Sequence, residues 1–220
     1  MPQLHERFLA EIVSERRQVS RRGMLVGSAK IAGGGALALG LLGTPGILRF
    51  AAAQELESDV DVLNYALTLE HLENSFYRDG LAVVGDLGTD GFGFSISEQL
   101  ALVGAHEAGH VAALTDTIIA LGGTPVEEQT YDFGDAFDSA DAFLATSAAL
   151  ENTGVSAYYG AAQFISDTDL LTTAGGIASV EARHAAYVNL VIDEVPFPGT
   201  FEEPLTVDEV LEIAGPFIVS

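Results

Sequence analysis

Two Glu-x-x-His motifs, Glu107-Ala108-Gly109-His110 and Glu181-Ala182-Arg183-His184, sit in separate halves of the chain. A carboxylate and an imidazole three residues apart share one face of an α-helix. A strand would send them to opposite faces, so the pattern asks for helix twice. Upstream of each motif stands a second repeated unit. Leu69-Glu70 is followed, seven residues after the Glu, by Tyr77; Leu150-Glu151 is followed in the same way by Tyr158. Seven residues make nearly two turns, which puts each Tyr on its Glu's face about 10 Å along the axis. Either motif alone would mean little in so acidic a chain. The repeated order, Leu-Glu-x6-Tyr then Glu-x-x-His, predicts four helices arranged with internal near-symmetry.

Hydrophobic periodicity supplies those helices. The first spans Asp59 to Asp79, with the stripe Leu63, Ala66, Leu67, Glu70, Asn74 and Tyr77 and with Gly80 as its stop. Misphasing of that stripe would instead bury Glu73 and leave Glu70 in solvent. Gly85, Gly88, Gly91 and Gly93 make a loop of residues 81–95. Ser97 then caps a second helix that runs to Leu121 and ends at Gly122-Gly123. Its stripe is Leu100, Val103, Glu107, His110, Val111, Leu114 and Ile118. A polar connector of residues 124–137 is longer than a helix hairpin needs and can cross a bundle from end to end.

Asp138 opens a third helix to Ile165, with Leu144, Ser147, Ala148, Glu151, Val155 and Tyr158 on its stripe. After Ser166-Asp167-Thr168 a fourth helix ends near Asp193, with Leu170, Ala174, Ile177, Glu181, His184, Ala185 and Val188 aligned. Gly175-Gly176 argues that its regular part begins only at Ile177. Thr206 and Glu209 form a capping box for a short last helix, Val207 to Ala214. No alternating strand pattern occurs. The expectation is all-α: a four-helix bundle with a long crossover between helices 2 and 3, plus a short C-terminal helix.

The amino terminus reads as something separate. Arg7, Arg16, Arg17, Arg21 and Arg22 precede a Gly- and Ala-rich apolar run from Met24 to Leu48, followed by Ala51-Ala52-Ala53-Gln54. This is the order of a secretory signal with an A-x-A cleavage site. Ser20-Arg21-Arg22-Gly23-Met24-Leu25 resembles the twin-arginine export motif, with Met24 in place of the usual Phe. Residues 1–53 are therefore expected to be a twin-arginine signal, and residues 54–220 a bundle domain with its core at 58–193. The export machinery would be a partner, and the chain would be exported across the cytoplasmic membrane to a periplasmic, cell-surface or extracellular location. An uncleaved membrane anchor is the competing reading, since residues 31–48 are about long enough to span.

Without residues 1–53 the chain keeps Arg78 and Arg183 against 29 acidic residues, a net charge of −27. Such a surface repels nucleic acid and anionic membranes. A halophilic host explains it most plainly. The chain has no Cys, which excludes disulfides and thiolate ligands.

Along the predicted helices the polar interruptions are Glu70, then Glu107 with His110, then Glu151, then Glu181 with His184. A buried ionised carboxylate is costly unless it is paired or bound to a metal. Two neighbouring divalent ions need bridging carboxylates against their repulsion, terminal carboxylates for charge and a nitrogen donor each. One Glu from each of two helices and a Glu-x-x-His from each of the others is the ligand set of ferritin-like di-iron and di-manganese bundles. The alternative is a metal-free bundle in which His and Tyr satisfy the acids. His71 and His106, each adjacent to a Glu of the set, point about 100° away from it and read as packing or surface residues. Tyr65, Tyr159 and Tyr187 read as packing residues, and Arg183 as the partner of a surface acid.

The chain resembles ferritin-like domain proteins of the group that includes desiccation- and stress-related proteins. The resemblance lies in residues 61–73, Phe76-Tyr77, His106 to Leu114, Leu150 to Ala157 and Glu181 to Ala186, across residues 58–192. The ligand set is also similar to that of bacterioferritin, in which a Tyr follows the first-helix Glu by seven residues, as Tyr77 does here. The resemblance implies the fold and a pair of iron or manganese ions; it does not imply a reaction. Three activities fit it. One is a di-iron oxidoreductase that meets dioxygen or peroxide, oxidises ferrous iron or removes peroxide, and draws an electron from Tyr77. Another is manganese-catalase-like peroxide disproportionation. The third is a stress-related bundle with a structural metal or none. A homo-oligomer is compatible with all three.

Overall fold

The computed structural model describes residues 56–219, and the leader expected over residues 1–53 lies outside them. Five α-helices carry the described chain: α1 (Asp59–Gly80), α2 (Ile96–Ala120), α3 (Ala140–Ala161), α4 (Thr168–Val191) and α5 (Val207–Ala214). Short 3-10 turns follow α3 at Ala162–Phe164 and α5 at Gly215–Phe217. Among the described residues, extended pairing is confined to the isolated bridges Thr89 with Ser95 and Tyr131 with Ile218. No helix among them is long and apolar enough to cross a membrane. The expected all-α bundle with a short fifth helix is the fold observed.

Helix starts follow from side chains that accept the free N–H groups of a first turn. Ser58 and Asp61 form a reciprocal capping box at α1, and Thr206 with Glu209 forms the expected one at α5. Two starts differ from expectation. Ser95, not Ser97, caps α2 by accepting from the Glu98 N–H. The Ser97 hydroxyl accepts instead from the Leu87 N–H and ties the preceding loop to the helix. Ser139, not Asp138, caps α3, because its side chain reaches the Ala142 N–H.

Gly175-Gly176 does not delay α4, which is helical from Thr168 onward. Glycine costs a helix about 1 kcal/mol per residue. Asp167 offsets this by accepting from the Asp169 and Leu170 N–H groups, and Leu170 and Ala174 pack on the core. Gly80 belongs to α1 rather than stopping it, and its reason is space: a Cβ there would lie 2.4 Å from the Phe143 ring. At the end of α2 the expected glycine stop is real. Gly122 has φ 77°, and the Gly123 and Gly122 N–H groups close back on Ile118 and Ile119.

Helices pack in antiparallel neighbours, α1 on α2 and α3 on α4, with lesser contacts of α1 with α3 and of α2 with α4. The long connector runs beside α1. Asn64 bonds Thr124 and Val126, the Val126 carbonyl meets His71, and Glu128 accepts from Ser75 and Arg78. Its far end is locked by aromatic packing, with Phe133 and Phe137 around Phe76, which stacks on Phe143 at 4.8 Å. The crossover therefore brings the start of α3 to the C-terminal end of α1. That placement makes α1 and α3 antiparallel and aligns the polar positions of all four long helices at one level.

Candidate metal centre

At that level the core contains four glutamates, one from each long helix, all without solvent exposure: Glu70, Glu107, Glu151 and Glu181. The imidazoles of His110 and His184 enter among them, with His184 the more deeply buried. His110 Nδ1 lies 3.1 Å from Glu70 Oε2, 3.0 Å from Glu107 Oε2 and 2.9 Å from Glu181 Oε1. His184 Nδ1 lies 2.9 Å from Glu107 Oε1, 3.4 Å from Glu151 Oε2 and 3.7 Å from Glu181 Oε2. Two groups result, Glu70, Glu107, His110 and Glu181, and Glu107, Glu151, Glu181 and His184, each with ligand atoms within 4.8 Å of one another. Glu107 and Glu181 belong to both. Each group adds one further carboxylate and one imidazole of its own.

The donor set fits a pair of divalent cations. Glu107 Oε1, Glu151 Oε2, both Glu181 oxygens and His184 Nδ1 are buried and have no hydrogen-bond partner. Several are near each other in distance without hydrogen-bond alignment, since they aim at common points rather than at one another. A native core seldom leaves such atoms unpaired, because each costs about 1–3 kcal/mol. Carboxylate and imidazole donors suit iron or manganese. Four carboxylates with two neutral imidazoles carry a charge that two divalent ions cancel.

Protons fill that role in the metal-free site. Burial works against charge on His110, but Glu107, Glu181 and Glu70 push its pKa up to about 12. Burial likewise opposes charge on His184, and Glu107, Glu151 and Glu181 push it up to about 12. Burial would raise Glu107, yet the two imidazoles draw it down to about 2. Burial dominates at Glu151, which rises to about 8 despite His184, and at Glu70, which rises well above the usual carboxylate range.

Both tyrosines of the repeated motif reach the cluster, but each serves the opposite helix. The Tyr77 hydroxyl donates to Glu151 Oε1 at 2.5 Å and lies 2.6 Å from Ser147 Oγ. The Tyr158 hydroxyl donates to Glu70 Oε1 at 2.5 Å. Burial and the adjacent carboxylate raise both phenols well above their ordinary range, so both keep their protons.

Three further residues near the site complete the comparison with expectation. Glu70 and Glu73 are both buried rather than one or the other, and Gly154 on α3 makes room for Glu73, whose Oε1 lies 2.9 Å from where a Cβ would stand. Burial, then the neighbouring carboxylates, raises Glu73 well above the usual range. His106 is exposed, yet its Nδ1 lies 2.9 Å from His184 Nε2, with the two rings 5.1 Å apart. Sequence spacing alone hid this, because the contact comes from α4 and not from α2. Arg183, expected to meet a surface acid, is exposed and forms no ion pair among the described residues.

A four-helix bundle with four buried glutamates and two imidazoles at one level defines the class: helical bundles whose core could hold a metal pair. The chain belongs to the ferritin-like domain family, whose sequence profile residues 58–194 match. A search of curated proteins found no match to the chain.

Proposed function

We propose that this chain is an exported ferritin-like protein that holds two iron or manganese ions in its buried cluster and oxidises ferrous iron or removes peroxide in stress defence. The observation that carries the reading is the overlap of two ligand groups through Glu107 and Glu181, with buried oxygens left unpaired by any protein donor. Shared carboxylates at the centre with one Glu and one His at either side match the needs of two neighbouring divalent ions.

Bound there, the pair of ions supplies the electron exchange that reduction of dioxygen or peroxide requires. The chain's own residues do the rest. Tyr77 and Tyr158 hold Glu151 and Glu70 in fixed orientations through their hydroxyls. To Tyr77, buried and bonded to Glu151, we assign the further role of lending an electron. His110 and His184 must give up their protons to bind, so metal and protons compete for the same atoms. The basic leader with its Arg21-Arg22 pair supports export, and the acidic remainder supports a salt-rich setting.

Metal content and turnover of ferrous iron or peroxide test this, measured on protein exported from a salt-tolerant host beside Glu107→Ala. The expected result is about two iron or manganese ions per chain, lost together with turnover in the variant. A folded, metal-free and inactive wild-type chain would leave a stress-related structural bundle.

A further inference from the structure

An apolar cavity of about 30 Å³ lies within the bundle toward the N-terminal end of α1. All four long helices line it, and their numbering locates it against the carboxylate cluster. Ala66 stands one turn before Glu70, Leu114 one turn after His110, Ile177 one turn before Glu181, and Tyr158 two turns after Glu151. Residues at these spacings share a helix face. The cavity is thus the next layer of the core beyond the cluster. Tyr158 is the wall common to both, since it lines the cavity while its hydroxyl bonds Glu70.

The space suits an apolar guest and not a polar one. A buried water needs about 10–15 Å³ and two to four polar partners. The volume suffices, but the partners are missing. Thr117 and Thr173 donate to carbonyls of their own helices, and Tyr158 is committed to Glu70. The Tyr65 hydroxyl is unpartnered, and one such group does not hold a water. Peroxide has the same need for hydrogen bonds, and a metal cation finds no ligand on these walls. The size excludes a drug-sized organic molecule but admits a diatomic one. Exposed Thr173 on α4 and half-buried Thr117 on α2 place its outer side between those two helices.

We propose that this cavity is the docking site from which dioxygen reaches the metal centre, by an apolar route separate from that of metal ions and peroxide. This rests on the proposed function above for its use of dioxygen, but the cavity's affinity for an apolar gas does not.

Xenon tests the cavity directly, because apolar protein cavities take it up. Under xenon pressure the metal-free chain should show methyl NMR shifts at Leu63, Leu114 and Ile177, and none at Leu72 or Val210. Two variants that fill the wall from its outer side, Ala174→Leu and Thr117→Leu, should lose those shifts. Loaded with iron, they should oxidise ferrous iron more slowly with dioxygen while keeping the wild-type rate with peroxide. Absence of xenon shifts in the wild-type chain overturns the gas site. Equal slowing with both oxidants, or no slowing in either folded variant, overturns the dioxygen route. A chain that takes up xenon but binds no metal overturns the assignment through the metal reading and not through the cavity.

Discussion

The Tyr77 hydroxyl on α1 donates to Glu151 on α3 at 2.5 Å, and Tyr158 on α3 returns the same bond to Glu70 on α1. Each Tyr lies seven residues beyond a Glu of its own helix, yet bonds the Glu of its neighbour. Only antiparallel helices in one particular register allow both bonds together. The repeated Leu-Glu-x6-Tyr unit is therefore a register device as well as a site component. A slip of one turn between α1 and α3 would leave one oxygen of each carboxylate and both phenols buried without these bonds.

Tyr77→Phe and Tyr158→Phe should each remove one of these bonds while keeping the ring. The expected cost is about 1–3 kcal/mol of metal-free stability for each, because a fully buried carboxyl group loses its donor. Urea denaturation in the presence of a chelator measures it. Tyr77 also meets buried Ser147, so its loss should be the larger of the two; a neutral effect at both positions would refute their register role. Of the two, Tyr77→Phe should also slow the proposed oxidation, in keeping with Tyr77 as electron donor.

The protons in the metal-free site predict an unusual dependence on pH. Folded Glu151 keeps its proton to about pH 8, whereas an unfolded glutamate releases it near pH 4.3. Glu70 and Glu73 shift in the same direction. His110 and His184 hold theirs to about 12 when folded, and an unfolded imidazole lets go near pH 6.5. In every case the folded state binds more protons over the window, so stability falls as pH rises. Calorimetry of the chelated chain should show its melting temperature dropping from about pH 5 to about pH 9. The metal-loaded chain should not drop over that range, since its ligands are already deprotonated. Loading at neutral pH should release about three protons, from Glu151, His110 and His184, readable from the buffer dependence of the binding enthalpy. A release near zero would contradict the protonation described.

How much of this was legible in the chain follows from where the information lies. Helices with apolar stripes were readable because their period is local, and the capping box Thr206 with Glu209 because its residues are three apart. The convergence of Glu70, Glu107, His110, Glu151, Glu181 and His184 was readable because each interrupts an apolar stripe at a position that packing requires to be interior. Inter-helix register was not local. The crossed tyrosine bonds and the meeting of His106 with His184 depend on how α1 lies on α3 and α2 on α4. Glu73 illustrates a different limit. A helix face wide enough to be buried against both α2 and α3 takes in Glu70 and Glu73 together. Ser95 and Ser97 could each cap α2, and the competition was decided by a bond from Leu87 in the preceding loop.

Gly160 offers a test of the fold that leaves the site alone. A Cβ there would fall 1.8 Å from the Leu205 carbonyl oxygen, a backbone atom that cannot swing aside. The segment before α5 is strapped to α3 at this point. The Leu205 N–H donates to the Ser156 carbonyl, and Ser156 Oγ donates to Glu202. Gly160→Ala should lift the strap and cost about 1–3 kcal/mol in urea denaturation, as overpacking does. Metal content should be unchanged, because Gly160 lies more than two turns beyond Glu151. Loss of metal in a folded variant would mean that the strap supports the site.

His106 gives the last and most selective prediction. A neutral imidazole that binds metal through Nδ1 carries its hydrogen on Nε2, and a partner for that hydrogen holds the ring in place. His184 turns Nδ1 toward the carboxylates and Nε2 toward His106 Nδ1, 2.9 Å away. In this arrangement His106 accepts the His184 hydrogen and selects the binding tautomer. The other imidazole of the ligand set, His110, belongs to the other ligand group, so only one of the two ions should feel the change. His106→Ala should weaken the ion held by Glu151 and His184 by about 10–100-fold and leave the ion held by Glu70 and His110 untouched. His106→Gln, whose side-chain oxygen can accept the same hydrogen, should recover much of the loss. Titration with ferrous or manganous ion should then show two separated steps in His106→Ala where the wild-type chain shows nearly equal ones. Because His106 is exposed, neither variant should disturb folding, and equal weakening of both ions would refute its role in positioning His184.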